Sequence, residues 1–171
     1  MNQKTAMKLF GLLGLLMLLS CGYADRHRNN SSCEQVLVDS LEVRVQDSLF
    51  SNVHYSRSQG LDALTQTQDS QVYYRLLALY GKTFFVSSDY DSILYYNRRV
   101  KEFSRNASQS SESLQSPQWN DVLSDVYNIE GNVWMQLNRP DSAITDYKKA
   151  YEYRLKGKKL HLLPDICINI A

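Results

Sequence analysis

An internal repeat restricts the fold more than any other feature of this sequence. When the chain is shifted by 50 positions, Gly81 aligns with Gly131 and Phe84 aligns with Trp134. Other positions match in charge or apolar character: Asp91-Ser92 with Asp141-Ser142, Arg98-Arg99 with Lys148-Lys149, Glu102 with Glu152, and Leu94 with Ile144. Two matched segments at a fixed spacing predict a protein that repeats one structural unit.

Each copy is predicted to be a helical hairpin. From 119 to 137 the apolar residues recur at steps of three and four, which indicates a helix with one apolar face: Trp119, Val122, Leu123, Val126, Val133, Trp134 and Leu137. Asn138 tolerates the left-handed conformation that ends many helices, and Pro140 fits the first turn of the next. The apolar positions of that next helix are Ala143, Ile144, Tyr147, Ala150 and Tyr151.

The segment 70–104 is predicted to form an earlier hairpin with the same arrangement. Its first helix is marked by Tyr73, Leu76, Leu77, Tyr80 and Phe84, and its second by Ile93, Leu94, Val100 and Phe103. Asp89 stands where an N-cap residue accepts hydrogen bonds from the first turn of the second helix. The stretch 104–118, rich in serine and glutamine and containing Pro117, is predicted to be the loop between the two hairpins.

The ends of the helical region are less regular. Residues 34–66 are predicted to form a helical pair with interruptions near Asp47 and Gly60. A third copy is predicted to begin at Leu163, with Ala171 at the position of the repeat's glycine. A repeat that stops within its first helix leaves an apolar face uncovered, so we expect a truncated chain or the front of a longer protein.

The copy at 119–156 resembles the tetratricopeptide repeat. That motif has a large residue and then a small one in its first helix, an aromatic three positions later, and a small, an aromatic and a small residue in its second. The matching residues are Tyr127, Gly131, Trp134, Ala143, Tyr147 and Ala150. The copy at 70–104 keeps Gly81 and Phe84 but has Ile93, Asn97 and Val100 in the second helix. The resemblance implies an all-α fold of stacked antiparallel helical hairpins, an α-solenoid with a concave groove.

The N-terminus resembles a bacterial lipoprotein signal. Lys4 and Lys8 precede an apolar run at 9–19, which is too short for a comfortable membrane span, and Ser20 precedes Cys21. The resemblance implies removal of residues 1–20 as a signal peptide, lipidation of Cys21, and a flexible tether at 21–33. The alternatives are an uncleaved anchor or a plain signal peptide with a chance cysteine. Gly22 rather than aspartate favours the outer membrane, and the lack of an acidic cluster just after Cys21 makes the periplasmic face the default expectation.

Little in the sequence suggests catalysis or a cofactor. The three histidines, His27, His54 and His161, lie on different segments, so no metal site and no cofactor are predicted. A disulfide between Cys33 and Cys167 is possible in an exported chain, but two unpaired thiols are the favoured interpretation. The net charge of +1 gives no indication of nucleic-acid binding.

Three surface patterns have both a functional and an ordinary interpretation. The Asp-Ser-apolar triplets beginning at Asp39, Asp47, Asp91 and Asp141 resemble a bacterial O-glycosylation site, but also suit helix starts. The basic pairs Arg98-Arg99 and Lys148-Lys149, and the group Lys156, Lys158 and Lys159, suit either an acidic ligand or a solvated helix face. The many tyrosines suit either a binding groove or packing between helices: residues 73, 74, 80, 90, 95, 96, 147, 151 and 153.

These features together predict a non-enzymatic, lipid-anchored envelope scaffold that binds a protein or peptide partner. The alternative is the exported sensor portion of a longer repeat-containing signalling or transcriptional regulator. A third class, an envelope lipoprotein that captures glycans beside a transporter, would require a far longer chain.

Overall fold

The structure, a computed structural model, describes residue 36, residues 38–41, residue 43, residues 51–107 and residues 116–170. The described residues from Val38 onward belong to one compact unit, and Val36 belongs to a unit spanning Met1–Leu37. The six helices labelled here are α1 (Val53–Gln66), α2 (Ser70–Lys82), α3 (Tyr90–Ala107), α4 (Pro117–Gln136), α5 (Pro140–Leu155) and α6 (Leu163–Ile170). A short 3₁₀ helix, Leu160–Leu162, precedes α6, and Val38–Leu41 are also helical. The described residues contain no strand, which confirms the all-α class.

Side chains at the helix starts fix where three of these helices begin. Asn52 Oδ1 accepts from the Tyr55 N–H at 3.1 Å, and Asp69 Oδ1 accepts from the Gln71 N–H at 2.7 Å. Ser116 Oγ accepts from the Trp119 N–H at 3.2 Å, directly before Pro117 at the first position of α4. These bonds satisfy N–H groups that have no partner within their own helix.

The connection within each hairpin repeats in atomic detail. Ser88 and Asn138, which are 50 positions apart, are the two described non-glycine residues with positive φ, 55° and 56°. The Ser88 N–H donates to the Phe85 carbonyl at 3.0 Å, and the Asn138 N–H donates to the Met135 carbonyl at 3.0 Å. The next N–H in each connection, of Asp89 and of Arg139, reaches back to the carbonyls of residues 84 and 134 at 3.2 and 2.8 Å. The two turns therefore share one conformation.

The helices bury their apolar faces in sequence along the chain. Each helix packs on the next, and α4 also packs on α2. One buried cluster joins α1 and α2 to the helical residues before them, and two others join α4 to the α2–α3 hairpin. The buried members are Val38, Leu41, Ala63, Val72 and Leu76; Leu77, Val100, Trp119, Leu123 and Val126; and Ile93, Ile129 and Val133.

Several sequence predictions are confirmed at the level of helices. Both hairpins are helical, Asn138 is left-handed, Pro140 begins α5, and a helix begins at Leu163. Asp89 accepts from the Ser92 N–H at 3.2 Å, as predicted for an N-cap residue. Within the described residues, no helix combines the length and apolarity that a membrane span requires.

Three predicted boundaries are wrong. Gly60 does not interrupt the chain but lies inside α1, because a close interhelical contact occupies the space beside it. The predicted loop 104–118 is shorter, since α3 continues to Ala107 and α4 starts at Pro117. Phe84 does not belong to the first helix of its hairpin, because α2 ends at Lys82. Asp47 and residues 1–35 lie outside the described residues.

Candidate functional site

The two glycines of the repeat lie against the second helix of each hairpin. A Cβ atom added at Gly131 would lie 2.3 Å from Tyr147 Cε1, and one at Gly81 would lie 3.0 Å from Tyr96 Cβ. Both distances are too short for ordinary side-chain contacts. Glycine at these positions therefore allows a tyrosine of the second helix to lie against the backbone of the first helix.

A third close contact was missed in the sequence. A Cβ atom at Gly60 would lie 3.0 Å from Tyr80 Cδ2, so α1 and α2 meet in the same way. The available signal was a lone glycine within a helical apolar pattern, which can indicate close packing as well as a break. Three helix pairs, α1–α2, α2–α3 and α4–α5, thus share a glycine–tyrosine contact.

The predicted residues in the second helix of the better copy are buried. Ala143 and Ala150 are 0 % exposed, and Tyr147 is 3 % exposed. The Tyr147 hydroxyl donates to Asn132 Oδ1 at 2.8 Å, and Ser124 Oγ donates to the Ala150 carbonyl at 2.8 Å. All these partners lie within the α4–α5 hairpin, so the signature residues close the hairpin on itself.

The looser copy uses the corresponding positions for a different contact. Ile93, Asn97 and Val100 are all 0 % exposed. Asn97 Nδ2 donates to the Val126 carbonyl at 3.2 Å, which links α3 to α4. Asparagine, where the motif has an aromatic residue, therefore joins one hairpin to the next.

Phe84 and Trp134 occupy equivalent places with different partners. The Phe84 ring contacts Tyr80 and Tyr96, with centroid separations of 5.3 and 5.6 Å, and the Arg57 guanidinium carbon lies 4.2 Å from its centroid. The Trp134 Nε1–H instead donates to Asp146 Oδ2 at 2.9 Å. Both aromatic residues fill the space beside the hairpin turn.

Two sets of ion pairs connect the helices, and neither was predicted from the sequence. Lys101 Nζ lies 2.5 Å from Glu130 Oε2, linking α3 to α4. Arg154 contacts Asp121 at 2.8 Å and also Asp125, linking α5 to α4. The side chains of Arg154 and Asp121 are 2 % and 6 % exposed. A buried pair of this kind depends on both partners, because either charge alone would be left in a poorly solvating interior.

Asp121 also organises the chain after α5. Its carboxylate accepts from the Lys158 N–H at 2.9 Å and from the Lys159 N–H at 3.2 Å. A Cβ atom at Gly157 would lie 2.1 Å from Asp121 Oδ1, so glycine permits this approach. The carboxylate therefore orients the segment that leads into α6.

Tyr127, the large residue of the motif, lies between α3 and α5. Its ring stacks on Tyr153 with centroids 5.6 Å apart, and the ammonium groups of Lys101 and Lys149 each lie 5.1 Å from its centroid. Burial raises the pKa of Tyr127 to about 12, and the neighbouring Tyr153 and Glu130 add to this effect. The phenol is therefore protonated at neutral pH, and its role here is packing against cations.

A row of polar side chains runs along another face of α4. Asp125, Asn128 and Asn132 are spaced at three and four residues and are half-buried. Asn128 Oδ1 accepts from Asn169 Nδ2 at 3.2 Å, which joins α4 to α6. A carboxamide carries two donors and one acceptor oxygen, and this is the hydrogen-bonding capacity that an extended peptide backbone requires.

Most of the tyrosines named in the sequence analysis are half-buried, and the basic residues named there are half-buried or exposed. Ring contacts join many of the tyrosines: Tyr73–Tyr74, Tyr74–Phe103, Tyr80–Tyr96, Tyr95–Tyr96 and Phe85–Tyr90. Tyr95 is nevertheless 48 % exposed. Arg98, Lys148, Lys156 and Lys158 are exposed, whereas Arg99 and Lys159 are half-buried.

The other candidate residues lie apart from one another. Ser142 and Ser40 are exposed, Ser92 donates to Asp89 Oδ2 at 2.7 Å, and the triplet at Asp47 lies outside the described residues. His54 and His161 are exposed on separate segments, and Cys167 is a free, exposed thiol. Cys21, Cys33 and His27 lie outside the described residues. In the part of the chain that the structure describes, no three His, Cys, Asp or Glu side chains are grouped as metal ligands.

Comparison of the chain with known proteins gives no match. No family model, no curated protein and no solved structure matches it. The described residues define an all-α protein in which helices that are consecutive in the chain pack against one another.

Proposed function

We propose that this chain is a non-enzymatic scaffold of stacked tetratricopeptide-like hairpins that binds a protein or peptide partner. The observation that carries the proposal is the repeated turn, in which Ser88 and Asn138 adopt the same left-handed conformation with matching hydrogen bonds 50 residues apart. A repeat that extends from sequence to backbone conformation supports one structural unit used twice. Stacked units of this kind present extended surfaces suited to binding.

Contacts between the hairpins support the stacked arrangement. Asn97 and Lys101 on α3 bond to Val126 and Glu130 on α4, and Trp119 Nε1 donates to Ser104 Oγ at 3.0 Å. On the other side, α6 packs on α5. This order, in which each helix lies against its neighbours in the chain, is typical of repeat proteins.

The polar row on α4 supports peptide binding as the activity. Asn128 and Asn132 each use the carbonyl oxygen of the side chain in a bond within the protein. Their NH₂ groups can then donate to the carbonyls of a bound chain. Main-chain recognition of this type is independent of the ligand's side chains, so neighbouring surfaces would set the specificity.

Peptide selection tests this function directly. The folded chain is immobilised and used to select from a displayed library of random twelve-residue peptides, and the enriched peptides are then synthesised. We expect enriched peptides to bind with Kd values of about 1–100 µM, the range of modest interfaces. Asn128→Ala with Asn132→Ala should weaken binding by about tenfold. Lys148→Ala, which changes an exposed residue on α5, is the control.

The selection also defines how the proposal would fail. If no peptide is enriched by the folded chain, the chain is not a peptide-binding scaffold. If peptides are enriched but the double asparagine variant binds them as tightly as the original chain does, the polar row on α4 is not the binding surface.

We also propose that the scaffold is anchored by lipid on Cys21 in the outer membrane, facing the periplasm. The support is the signal-like segment before Cys21. Several acyl chains hold a protein stably, whereas one chain gives only marginal binding. Cys21→Ala should move the protein from the membrane fraction to the soluble fraction and abolish labelling with an alkyne-tagged fatty acid. Unchanged membrane retention without label in the original chain would refute the assignment.

A further inference from the structure

Arg99 on α3 lies among tyrosines instead of beside a carboxylate. Its guanidinium carbon lies 6.0 Å from the centroid of the Tyr95 ring. The phenol groups of Tyr73 and Tyr74, on α2, are near enough to interact with it electrostatically. One half-buried cation therefore lies beside the Tyr95 ring and near two further phenols from α2.

Contacts with neighbouring aromatic rings hold these tyrosines in place. The Tyr74 ring stacks on Phe103 with centroids 4.1 Å apart, and Tyr73 meets Tyr74 edge-on at 5.3 Å. Tyr95 contacts Tyr96 at 5.2 Å but is 48 % exposed. Such a cluster changes little when a ligand arrives, so the conformational entropy lost on binding is small.

The equivalent position in the second hairpin shows what Arg99 lacks. Lys149, 50 residues later, pairs with Asp146 at 3.6 Å, three positions before it. Three positions before Arg99 the chain has Tyr96. Over residues 51–107 and 116–170, no carboxylate lies within ion-pair distance of Arg99, whereas Lys101, Arg75 and Arg154 each have one.

This chemistry suits a single carboxylate. A guanidinium presents a planar fork of donors that matches the two oxygens of a carboxylate, and neutral phenols add further O–H donors. Phosphate groups are commonly bound by clusters of arginines, whereas the neighbouring Arg98 is exposed on a different face of α3. The exposed Tyr95 ring provides an aromatic surface beside the guanidinium, on which a neighbouring side chain of the ligand can pack.

We propose that Arg99, Tyr73, Tyr74 and Tyr95 bind the carboxylate of an aspartate or glutamate in the partner peptide. This proposal rests on the proposed function and names the chemistry of the peptide. It also gives the scaffold a site of specificity on α2 and α3, apart from the polar row on α4.

The test uses the same random peptide library with the folded chain and its Arg99→Ala variant. Peptides enriched by the original chain should contain aspartate and glutamate at more than about twice their input frequency, because the unpaired guanidinium selects for them. Synthesised peptides with the key acidic residue changed to its amide should bind about tenfold more weakly. Arg99→Ala should lose affinity for the acidic peptide by a similar factor.

The losses of affinity caused by the acid-to-amide change in the peptide and by Arg99→Ala in the chain should not be additive. The acid-to-amide change should cost the Arg99→Ala variant less than about twofold, because the group that recognises the acid is already absent. Arg98→Ala removes the same charge from an exposed site and should stay within about twofold of the original chain. Tyr95→Phe keeps the ring and removes one donor, so it should weaken binding by about two- to fivefold. Urea unfolding confirms that each variant folds.

Each remaining outcome overturns the inference. Enriched peptides without an acidic bias, an equal loss for Arg98→Ala and Arg99→Ala, or full additivity of the two changes would each show that Arg99 does not recognise a carboxylate. Equal competition by millimolar inorganic phosphate and by acetate would point to a general anion site instead. If peptides are enriched independently of Arg99, the scaffold function stands and this site is wrong; if none is enriched, both fail.

Discussion

The two hairpins use equivalent positions for different purposes. In the α4–α5 hairpin, Tyr147 and Arg154 bond to Asn132 and Asp121 within the same hairpin. The positions 50 residues earlier are Asn97 and Ser104, whose partners Val126 and Trp119 lie on α4, outside the α2–α3 hairpin. These two positions bond within the α4–α5 hairpin, whereas the equivalent positions of the α2–α3 hairpin bond to its neighbour.

This difference explains why one copy resembles the repeat motif better than the other. A tyrosine lies against a glycine of the other helix in both hairpins, and in the α4–α5 hairpin these residues are Tyr147 and Gly131. In α3 the closing ring is shifted by one position, from Asn97 to Tyr96, which rests on Gly81. Position 97 is then available for the asparagine side chain, which bonds to α4. The departure from the motif is therefore a contact between hairpins.

The test with the largest expected effect on stability removes the polar side chain at position 154 or at position 104. Arg154→Ala should lower the free energy of unfolding by about 3–5 kcal/mol, because Asp121 is left buried without its cation. Ser104→Ala should cost about 1–3 kcal/mol, because the buried Trp119 indole N–H loses its acceptor. Urea unfolding followed by circular dichroism measures both.

The same pair of variants has an informative control. Lys148→Ala changes an exposed residue of α5 and should stay within about 0.5 kcal/mol of the original chain. Equal losses for Arg154→Ala and Ser104→Ala would contradict the distinction between a hairpin closed by a buried charge and one joined by a neutral bond.

A second test compares the two glycine contacts. Alanine favours a helix over glycine by about 1 kcal/mol, whereas overpacking costs about 1–3 kcal/mol. At Gly131 the added Cβ would lie 2.3 Å from a ring atom of buried Tyr147, so we expect a net loss of about 2 kcal/mol. At Gly81 the contact is 3.0 Å and the two effects should nearly cancel. Thermal and urea unfolding would show the difference; a stabilised Gly131→Ala would mean that the α4–α5 contact is looser than described.

The sequence predicted the helices better than the contacts between them. Periodicity, Asn138 and Pro140 placed the hairpins, since local rules govern helix starts, turns and apolar faces. The networks of Asp121, Glu130 and Arg154 were missed, because acidic and basic residues on predicted helices ordinarily face solvent and no local pattern identifies their distant partners. Gly60 was misinterpreted as a break because a glycine that ends a helix and one that admits a ring look alike in sequence.

The ion pair between hairpins predicts a dependence on pH. Burial raises the pKa of Glu130 above its ordinary 4.5, and Lys101 only partly opposes this effect. Only between the unfolded and the folded pKa does the folded chain keep a proton on Glu130 that the unfolded chain has released. This residue's contribution to stability therefore falls as pH rises from about 4.5 through the folded pKa.

Glu130→Gln isolates that contribution, because every other titrating group is common to both chains. The stability of the variant relative to the original should increase with pH across this window, by at most about 1.4 kcal/mol per pH unit. Urea unfolding at intervals from pH 4 to pH 8 measures the difference. A relative stability that decreases with rising pH would show that Lys101 dominates and that Glu130 favours the folded state as a carboxylate.

The smallest test concerns the two turns. Ser88 and Asn138 are exposed and hold φ near +55°, where a side chain costs about 1 kcal/mol relative to glycine and asparagine is among the best tolerated. Ser88→Gly should therefore stabilise the chain by up to about 1 kcal/mol, and Asn138→Gly by less than about 0.5 kcal/mol. Because neither change removes a backbone hydrogen bond, the urea midpoints report the turn conformation alone. Should Ser88→Gly destabilise the chain while Asn138→Gly does not, the two connections would differ in conformation, and the structural repeat that supports the scaffold would be lost.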